Sequence, residues 1–147
     1  MDEIGVRIPI SKINLCRNLM SVNIKHYLQQ WDFSERIIIV CDKGSVFVDI
    51  TYSPNGKDRK AVIWGLFVGS GYRCNGVGGD LLLYAEEQVK VRGIREVEIA
   101  WESPTPLWVY NWYLRKGYVE KDYENGYSRM CKVFNVEEKE EFLIEDF

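Results

Sequence analysis

The chain is poor in residues that bind transition metals, with one histidine, His26, among its 147 residues. The four cysteines are far apart and form no C-x-x-C pair: Cys16, Cys41, Cys74 and Cys131. Because zinc sites are built from cysteine and histidine at close spacings, we expect no metal site. Scattered cysteines without such pairs favour reduced, buried thiols in the cytosol.

Long apolar runs are also absent from the sequence. No segment reaches the roughly 18 apolar residues that a membrane span needs, and the start MDEIGVRIPI is acidic and lacks the apolar stretch of a secretion signal. These absences predict a soluble, cytoplasmic protein without a membrane partner.

A strong excess of positive charge is missing too, since the net charge is −3. The end of the chain, residues 135–147, carries six acidic residues against Lys139 alone, which leaves a net charge of about +2 on the rest. This distribution is not that of a nucleic-acid-binding protein. We expect one domain over residues 1–134. The acidic tail of residues 135–147 either belongs to that domain or is mobile. The sequence also leaves open a homodimer in which this tail pairs two chains.

With 46% hydrophobic residues, the chain has enough apolar material for one core. In the first half, β-branched runs between turn signals predict strands, and the spacing of apolar residues from Lys12 to Trp31 fits one or two helices better than alternation. The predicted strands are Ile4–Ile10, Arg36–Cys41, Ser45–Tyr52 and Ala61–Val68. Short turns at Asp42–Gly44 and Ser53–Gly56 make neighbouring strands antiparallel.

The second half of the sequence predicts a strand–helix–strand crossover. Leu81, Ala85 and Val89 share one helical face, Glu86 and Lys90 form an i, i+4 ion pair, and Gly93 ends the helix. The next strand is expected at Glu96–Trp101, parallel to Ala61–Val68.

The last elements complete the predicted fold. Thr105 is expected to cap a helix with Pro106 at its first position, and this helix should run to Gly117. The final strands are predicted at Tyr118–Tyr123 and Tyr127–Val133, around a turn at Glu124-Asn125-Gly126. The fold class is α+β, with a mixed, mostly antiparallel central sheet flanked by helices on both faces.

A glycine-rich loop precedes the crossover helix, in the stretch GLFVGSGYRCNGVGGDLLLYAEEQ from Gly65 to Gln88. A helix start exposes unpaired N–H groups and the positive end of the helix dipole. Glycines at 76, 78 and 79 would let an oxyanion approach these groups, and Arg73 supplies a cation. The loop therefore predicts a phosphate or pyrophosphate site. The alternative is a glycine-rich turn before a capped helix.

Two known phosphate-binding patterns do not fit this loop. It lacks the Gly-Lys-Ser/Thr ending of a P-loop. Gly69-Ser70-Gly71 does not meet the spacing of a dinucleotide-binding fingerprint.

The loop and its flanks resemble the coenzyme A signature of the GNAT superfamily of N-acetyltransferases. The family has an L-x-V strand, a Q/R-x-x-G-x-G/A loop and a helix that begins with paired leucines. Here these are Leu66-Phe67-Val68, Arg73-Cys74-Asn75-Gly76-Val77-Gly78 and Leu81-Leu82. Further on, Trp112-Tyr113-Leu114-Arg115-Lys116-Gly117-Tyr118 is similar to the family's F-Y-x-x-x-G-F segment. The resemblance covers residues 61–118 closely.

The resemblance implies acetyl-CoA as cofactor and assigns roles to several residues. Backbone N–H groups would hold the pyrophosphate; they belong to Arg73, Cys74, Asn75, Gly76, Val77, Gly78 and Gly79. The backbone of Phe67 and Val68 would pair with the pantetheine arm, and an N–H there would polarise the thioester carbonyl. Tyr113 would protonate the departing thiolate. The amine acceptor, a small molecule or a peptide, would enter between Ala61–Val68 and Glu96–Trp101 and attack the thioester directly.

The sequence departs from the family pattern at two places. Pro106 stands where the family often has an asparagine that contacts the pantetheine arm. The strand Ala61–Val68 has no ionisable residue, whereas the family often has a glutamate there or just before it to accept the ammonium proton. The base must come from elsewhere or act through water.

Four residues are candidates for reactive roles. Glu102 ranks first as the base because it follows the strand Glu96–Trp101, and a solvated charge is its competing interpretation. Asp49 is expected to point either into the acceptor cleft between the two parallel strands or outward to solvent. His26 is either a base or a surface residue of a helix. Cys74 lies at a helix start that favours thiolates, and we interpret it as loop filler.

Three tryptophans, Trp101, Trp108 and Trp112, line either an acceptor site for an apolar amine or the core. Three functions remain open from the sequence. These are acetyl transfer from acetyl-CoA to a primary amine, acyl-CoA binding without turnover, and a scaffold that does not bind coenzyme A.

Overall fold

The computed structural model of the chain describes residues 5–6, 23–100, 106–124 and 127–135. In chain order, the described elements are β1 (Gly5–Val6), β2 (Lys25–Gln30), β3 (Ser34–Cys41), β4 (Gly44–Tyr52), β5 (Arg59–Val68), a short 3₁₀ helix (Ser70–Tyr72), α1 (Val77–Lys90), β6 (Glu96–Ala100), α2 (Leu107–Arg115), β7 (Val119–Glu124) and β8 (Tyr127–Val133). Among the described helices, none is long and apolar enough to cross a membrane.

The eight described strands form one sheet in the order β1-β2-β3-β4-β5-β6-β8-β7. Strands β5 and β6 are parallel, and every other neighbouring pair is antiparallel. A helix between two parallel strands and tight turns between antiparallel ones are what the sequence predicts. The α+β fold class with a mixed, mostly antiparallel sheet is therefore confirmed.

The core lies between α1 and one face of the sheet. Alternate residues of the central strands point toward α1 and are fully buried; they include Ile37, Ile39, Val46, Val48, Ile50, Ala61 and Ile63. From the helix, Leu81, Ala85 and Val89 fill the other side, each with no exposed surface, so the predicted helical face is confirmed. Each large aliphatic side chain buried in this way stabilises the fold by roughly 1.5–3 kcal/mol.

The helix predicted up to Trp31 is wrong over Lys25–Gln30, which form strand β2. In this strand His26 pairs with Ile39 and Leu28 pairs with Ile37. Pairing with an isoleucine-rich strand overrides the local helical spacing, because intrinsic preference is weak against a sheet ladder. Residues 12–22 of the predicted helix lie outside the described residues, and so does most of the predicted strand Ile4–Ile10, of which Gly5–Val6 form β1.

Two local predictions are also corrected. Glu86 does not pair with Lys90, because Glu86 faces the core with 3% of its surface exposed, while Lys90 Nζ lies 3.7 Å from Glu87 on the surface. Pro106 is not the first helical residue; it precedes α2 with an extended backbone (φ −63°, ψ 149°), and its carbonyl accepts from the Val109 N–H. Thr105, the expected cap, lies outside the described residues, as do Asn125 and Gly126 of the last turn.

Candidate functional site

Strand β5 contains a bulge at Gly65. Ser45 of β4 pairs with Phe67, whereas Phe47 pairs with Trp64, so β5 has one extra residue in this interval. Gly65 has φ +67°, and a Cβ there would lie 2.7 Å from Phe47 Cδ2. Both the backbone conformation and the close contact therefore require glycine.

The bulge shifts which residues of β5 point toward the core. Before it, Ala61 and Ile63 are in the core, and after it Leu66 and Val68 pack against the core instead. The phenyl ring of Phe67 consequently turns outward, with 56% of its surface exposed. The sequence analysis missed Gly65, although an isolated glycine in an apolar strand is a recognised signal for a bulge.

The described pairing of strands β5 and β6 ends at this bulge. It runs from Ala61 with Val97 to Trp64 with Ala100, and no described residue pairs with β5 beyond Trp64 on this side, which we call the opened edge. The Gly69 N–H donates to Lys43 O on the β4 side. Because successive backbone groups of a strand point to opposite edges, the N–H and C=O of Val68 face the opened edge.

The glycine loop continues from this edge to the start of α1. Residues 70–76 are exposed, and both Cys74 (φ 66°) and Gly76 (φ 85°) adopt the left-handed conformation. The structure therefore corrects the expectation of a buried thiol at Cys74. A left-handed cysteine is uncommon, and such strain concentrates at functional loops.

The first amides of α1 have no protein acceptor among the described residues. Gly76 is the N-cap and no side chain caps the helix, and the first helical bond runs from the Asp80 N–H to Gly76 O at 3.0 Å. The N–H groups of Val77, Gly78 and Gly79 are thus left for solvent or a ligand. This arrangement, together with the helix dipole, favours an anion.

Two cations flank the start of α1. Arg73 is exposed, and its Nε donates to Val68 O at 3.1 Å, so part of its guanidinium is held on the opened edge of β5. Lys116 Nζ lies over the Trp112 ring, 5.2 Å from its centroid, and 3.3 Å from where a Cβ of Gly79 would be. Lys116 was not predicted as a site residue from the sequence, in which it is distinguished only as a basic residue within the second motif.

The second motif forms the end of α2. The Tyr118 N–H donates to Tyr113 O at 3.0 Å, the Gly117 N–H donates to Leu114 O at 3.1 Å, and Gly117 has φ +99°. These bonds define a Schellman motif, which commonly carries an apolar contact between the two outer residues. Here that contact is the edge-on packing of the Tyr113 and Tyr118 rings, with centroids 5.6 Å apart. The Y-x-x-x-G-Y spacing therefore encodes a helix stop that fixes Tyr113.

Tyr113 itself is almost fully buried and also packs edge-on against Trp112, with centroids 5.0 Å apart. Burial raises the pKa of Tyr113 above its usual value of 10. The phenol therefore keeps its proton at neutral pH, as a proton donor must.

The face of the sheet opposite α1 carries charged and aromatic side chains near the last described pair of β5 and β6. Arg36 makes two hydrogen bonds to Asp49, at 2.7 and 3.1 Å, and lies over the Trp64 ring at 4.9 Å. Trp64 stacks on Phe47, and its Nε1 is buried without a hydrogen-bond partner in the described part of the chain. Asp49 thus points to this face, where both of its carboxylate oxygens accept hydrogen bonds from Arg36.

The prediction of a surface histidine on a helix is wrong. His26 lies on β2 and is buried, and its Nδ1 is 2.7 Å from the Tyr84 hydroxyl of α1. The pKa of His26 is lowered, mainly by burial and to a smaller extent by the positive charge of Arg92. The ladder with β3 turns this side chain toward α1 and into the core, away from the glycine loop.

Of the remaining candidates, two tryptophans are among the described residues and two residues are not. Trp112 lies next to Gly78, beside the glycine loop rather than on the face of Asp49 and Trp64, and Trp108 is largely exposed. Glu102 and Trp101 lie outside the described residues.

The described residues contain no group of three or more His, Cys, Asp or Glu side chains placed to hold a metal ion. A cavity of about 360 Å³ lies at the amino ends of β5 and β6, opposite the glycine loop, and is lined mainly by charged residues.

Several solved structures have a similar fold at low sequence identity. The PaiA N-acetyltransferase of Thermoplasma acidophilum, solved in complex with coenzyme A, is 22% identical with a TM-score of 0.52. The similarity covers 69% of this chain and 62% of that one, which is less than two thirds of its length. Naa50 of Arabidopsis thaliana, solved with the bisubstrate analogue CoA-Ac-MVNAL, is 18% identical with a TM-score of 0.55, over 67% of this chain and 72% of that one. Comparison with curated proteins gave no match.

The family comparison covers more of the chain than either motif alone. The model described as the acetyltransferase (GNAT) family matches residues 20–118, which is more than half of the 147 residues. This range includes the bulge, the glycine loop, α1 and the end of α2. The resemblance seen in the sequence is thereby confirmed, and the chain belongs to the GNAT acetyltransferase family.

Proposed function

We propose that this protein transfers an acetyl group from acetyl-CoA to a primary amine of a small molecule or a peptide. One observation supports the proposal above all: an uncapped helix start follows, after one loop, a strand edge with which no described residue pairs beyond the bulge. The first feature suits a pyrophosphate and the second suits an extended pantetheine arm.

The donor would be held mainly by backbone. The amides from Arg73 to Gly79 are exposed or lie in the first turn of α1, and they would bind the pyrophosphate. The charges of Arg73 and Lys116 would add charge-assisted hydrogen bonds. The opened edge at Val68 would pair with pantetheine, and the Val68 N–H would polarise the thioester carbonyl. The backbone groups of Phe67, which the sequence also suggested for this role, face β4 instead.

The reaction would then be a direct displacement. The neutral amine attacks the thioester carbon, the C–N bond forms, and the C–S bond breaks. Tyr113 gives its proton to the departing thiolate of coenzyme A. The attacking nitrogen loses its extra proton to a base, for which Glu102 is our candidate, directly or through water.

The acceptor would enter from the face that carries Trp64 and Asp49. The Arabidopsis Naa50 structure contains an analogue that joins coenzyme A to a peptide, and the proposal extends to peptides for this reason. A cytoplasmic location is part of the proposal, since acetyl-CoA and free thiols are found together there.

Donor binding is tested by thermal shift. Acetyl-CoA at about 100 times its Kd should stabilise the protein by roughly 2.7 kcal/mol. Arg73→Glu should abolish this shift because it places a like charge beside the pyrophosphate. Lys57→Glu makes the same charge change in an exposed turn far from the loop and should leave the shift intact. An unchanged shift in Arg73→Glu would refute the pyrophosphate site, and no shift in the wild type would favour the scaffold.

Turnover is tested by thiol release with a panel of amines. We expect Tyr113→Phe to lower kcat by about 10²-fold or more, within the usual range for loss of a general acid, while the acetyl-CoA shift persists. A wild type that binds acetyl-CoA but releases no thiol with any amine would instead be an acyl-CoA-binding module.

A further inference from the structure

A buried polar cluster lies beneath α2, and the proposed reaction does not use it. The Tyr118 hydroxyl donates to Glu86 Oε2 at 2.6 Å, and Lys132 Nζ lies 3.3 Å from both carboxylate oxygens of Glu86. Lys132 Nζ also donates to Lys116 O at 2.9 Å, at the end of α2. The cluster therefore ties α1, β8 and the turn after α2 to one another.

The burial of this cluster calls for an explanation beyond stability. Glu86 and Tyr118 are 3% and 1% exposed, among the apolar residues of the core. Taking a carboxylate out of water carries a penalty of several kcal/mol, and apolar replacements of a buried ion pair are often no less stable. A buried ionic group of this kind is better suited to fixing one arrangement of neighbouring elements than to adding stability.

Tyr118 connects the cluster to Tyr113. The two rings pack edge-on, and the Tyr118 N–H is bonded to Tyr113 O within the Schellman motif. A shift of the Tyr118 ring would therefore move the packing surface of Tyr113. Glu86 belongs to α1, the helix whose start would hold the donor, so the chain of contacts runs from the donor helix to the proposed acid.

We propose that Glu86, acting through Tyr118, is a positioning residue that fixes the ring of Tyr113 relative to the donor. This inference rests on the proposed function and adds to it. No proton passes through Glu86. Its carboxylate holds the Tyr118 hydroxyl, Lys132 holds the carboxylate, and the Tyr118 ring limits the orientations open to Tyr113.

The test is a double-mutant cycle in the thiol-release assay. Glu86→Gln keeps an acceptor for Tyr118 but loses the ion pair, and Tyr118→Phe keeps the ring and the ion pair but loses the hydroxyl. We expect each to lower kcat by roughly tenfold or more, since small misplacements of a reacting group are costly, and to leave KM for acetyl-CoA within about twofold. In the Tyr113→Phe background, neither change should lower kcat further, because the residue that they position is gone.

Glu87→Gln provides the matched control. Glu87 is the next residue of α1 and pairs with Lys90 on the surface, so its loss should leave kcat unchanged. All rates are compared well below the unfolding temperature of each variant, and Tyr118→Phe serves if Glu86→Gln does not fold.

The outcomes separate this inference from the proposed function. If the role of Glu86 is purely structural, Glu86→Gln lowers the unfolding temperature and leaves kcat unchanged, or its loss of kcat adds fully to that of Tyr113→Phe. Either result overturns this inference but not the proposed function. A Tyr113→Phe protein with normal kcat would remove the role of Tyr113 and this inference with it, while the Arg73 test of donor binding stands. A wild type without thiol release would overturn both proposals.

Discussion

The two ends of the parallel pair β5–β6 are held in different ways. At the carboxyl end the described pairing stops at Trp64 with Ala100, beside a glycine whose backbone no other residue could adopt without strain. At the amino end, the closed end, Ala61 pairs with Val97 and charged side chains surround the pair. Backbone geometry therefore dominates the first end, and side-chain electrostatics the second.

The closed end shows how strongly its charges are organised. Glu98 of β6 lies within 3.7 Å of three cations, Lys60, Lys121 and Arg129. Burial by itself would raise the pKa of Glu98, but the hydrogen bond from Lys121 and the three positive charges outweigh it and lower the pKa. The opened edge has no such cluster among the described residues, and the groups that it presents are mainly backbone.

The largest effect is expected from Gly65→Ala. The new Cβ would meet the Phe47 ring at 2.7 Å and would need a left-handed backbone, so we expect a loss of about 2–4 kcal/mol in the free energy of unfolding. Urea unfolding measures this loss, and the acetyl-CoA shift should weaken as the edge closes.

Gly71→Ala is the matched control for this substitution, since a Cβ there meets nothing within 4 Å and Gly71 has no positive φ. Its free energy of unfolding should stay within about 0.5 kcal/mol of the wild type. Equal losses at the two glycines would contradict the steric origin of the opening.

A smaller effect is expected from Glu98→Gln at the closed end. Removing the charge leaves three cations facing one another, so the free energy of unfolding at pH 7 should fall by about 1–2 kcal/mol. The folded-state pKa lies below the ordinary value of 4.5, so this contribution is present above that value and is lost as the pH falls through the folded-state pKa. The difference between wild type and variant should therefore shrink in urea titrations below pH 4.5.

A difference between the two proteins that stays constant with pH would show that Glu98 acts through packing and not through its charge. High salt should also reduce the effect of Glu98→Gln, whereas the effect of Gly65→Ala should not depend on salt.

The smallest effect is expected from Arg59→Gln. Arg59 donates to Arg92 O at 2.6 Å, but it is exposed at the rim of the closed end. We expect a change within about 0.5 kcal/mol in urea unfolding. A loss as large as that of Glu98→Gln would mean that the rim, and not the Glu98 cluster, holds this end together.

The sequence was sufficient to predict the features that depend on local chemistry. Asp42–Gly44 and Ser53–Gly56 are turns, β3 to β5 follow β-branched runs, and the glycine loop precedes α1 as expected. Local residue preferences determine such features directly, and the family motifs added the correct fold class.

Apart from the parallel pairing of β5 with β6, features that depend on contacts between distant residues were not predicted. Lys25–Gln30 were wrongly predicted to be helical, because pairing with β3, and not the spacing of apolar residues, decides that they form strand β2. Lys116 and Glu86 became candidates only when the structure placed them beside Gly79 and Tyr118. Their types are ordinary for helix residues, so no local pattern distinguished them.

Because the bulge in β5 changes which residues point toward the core, the side chain at position 67 is not part of the core. Phe67 lies on the opened strand with more than half of its surface exposed, so its replacement should leave the interior intact. If acetyl-CoA binds as proposed, variation at this single position would alter the wall beside the thioester without loss of stability, which makes it a natural starting point for evolving a preference for longer acyl chains.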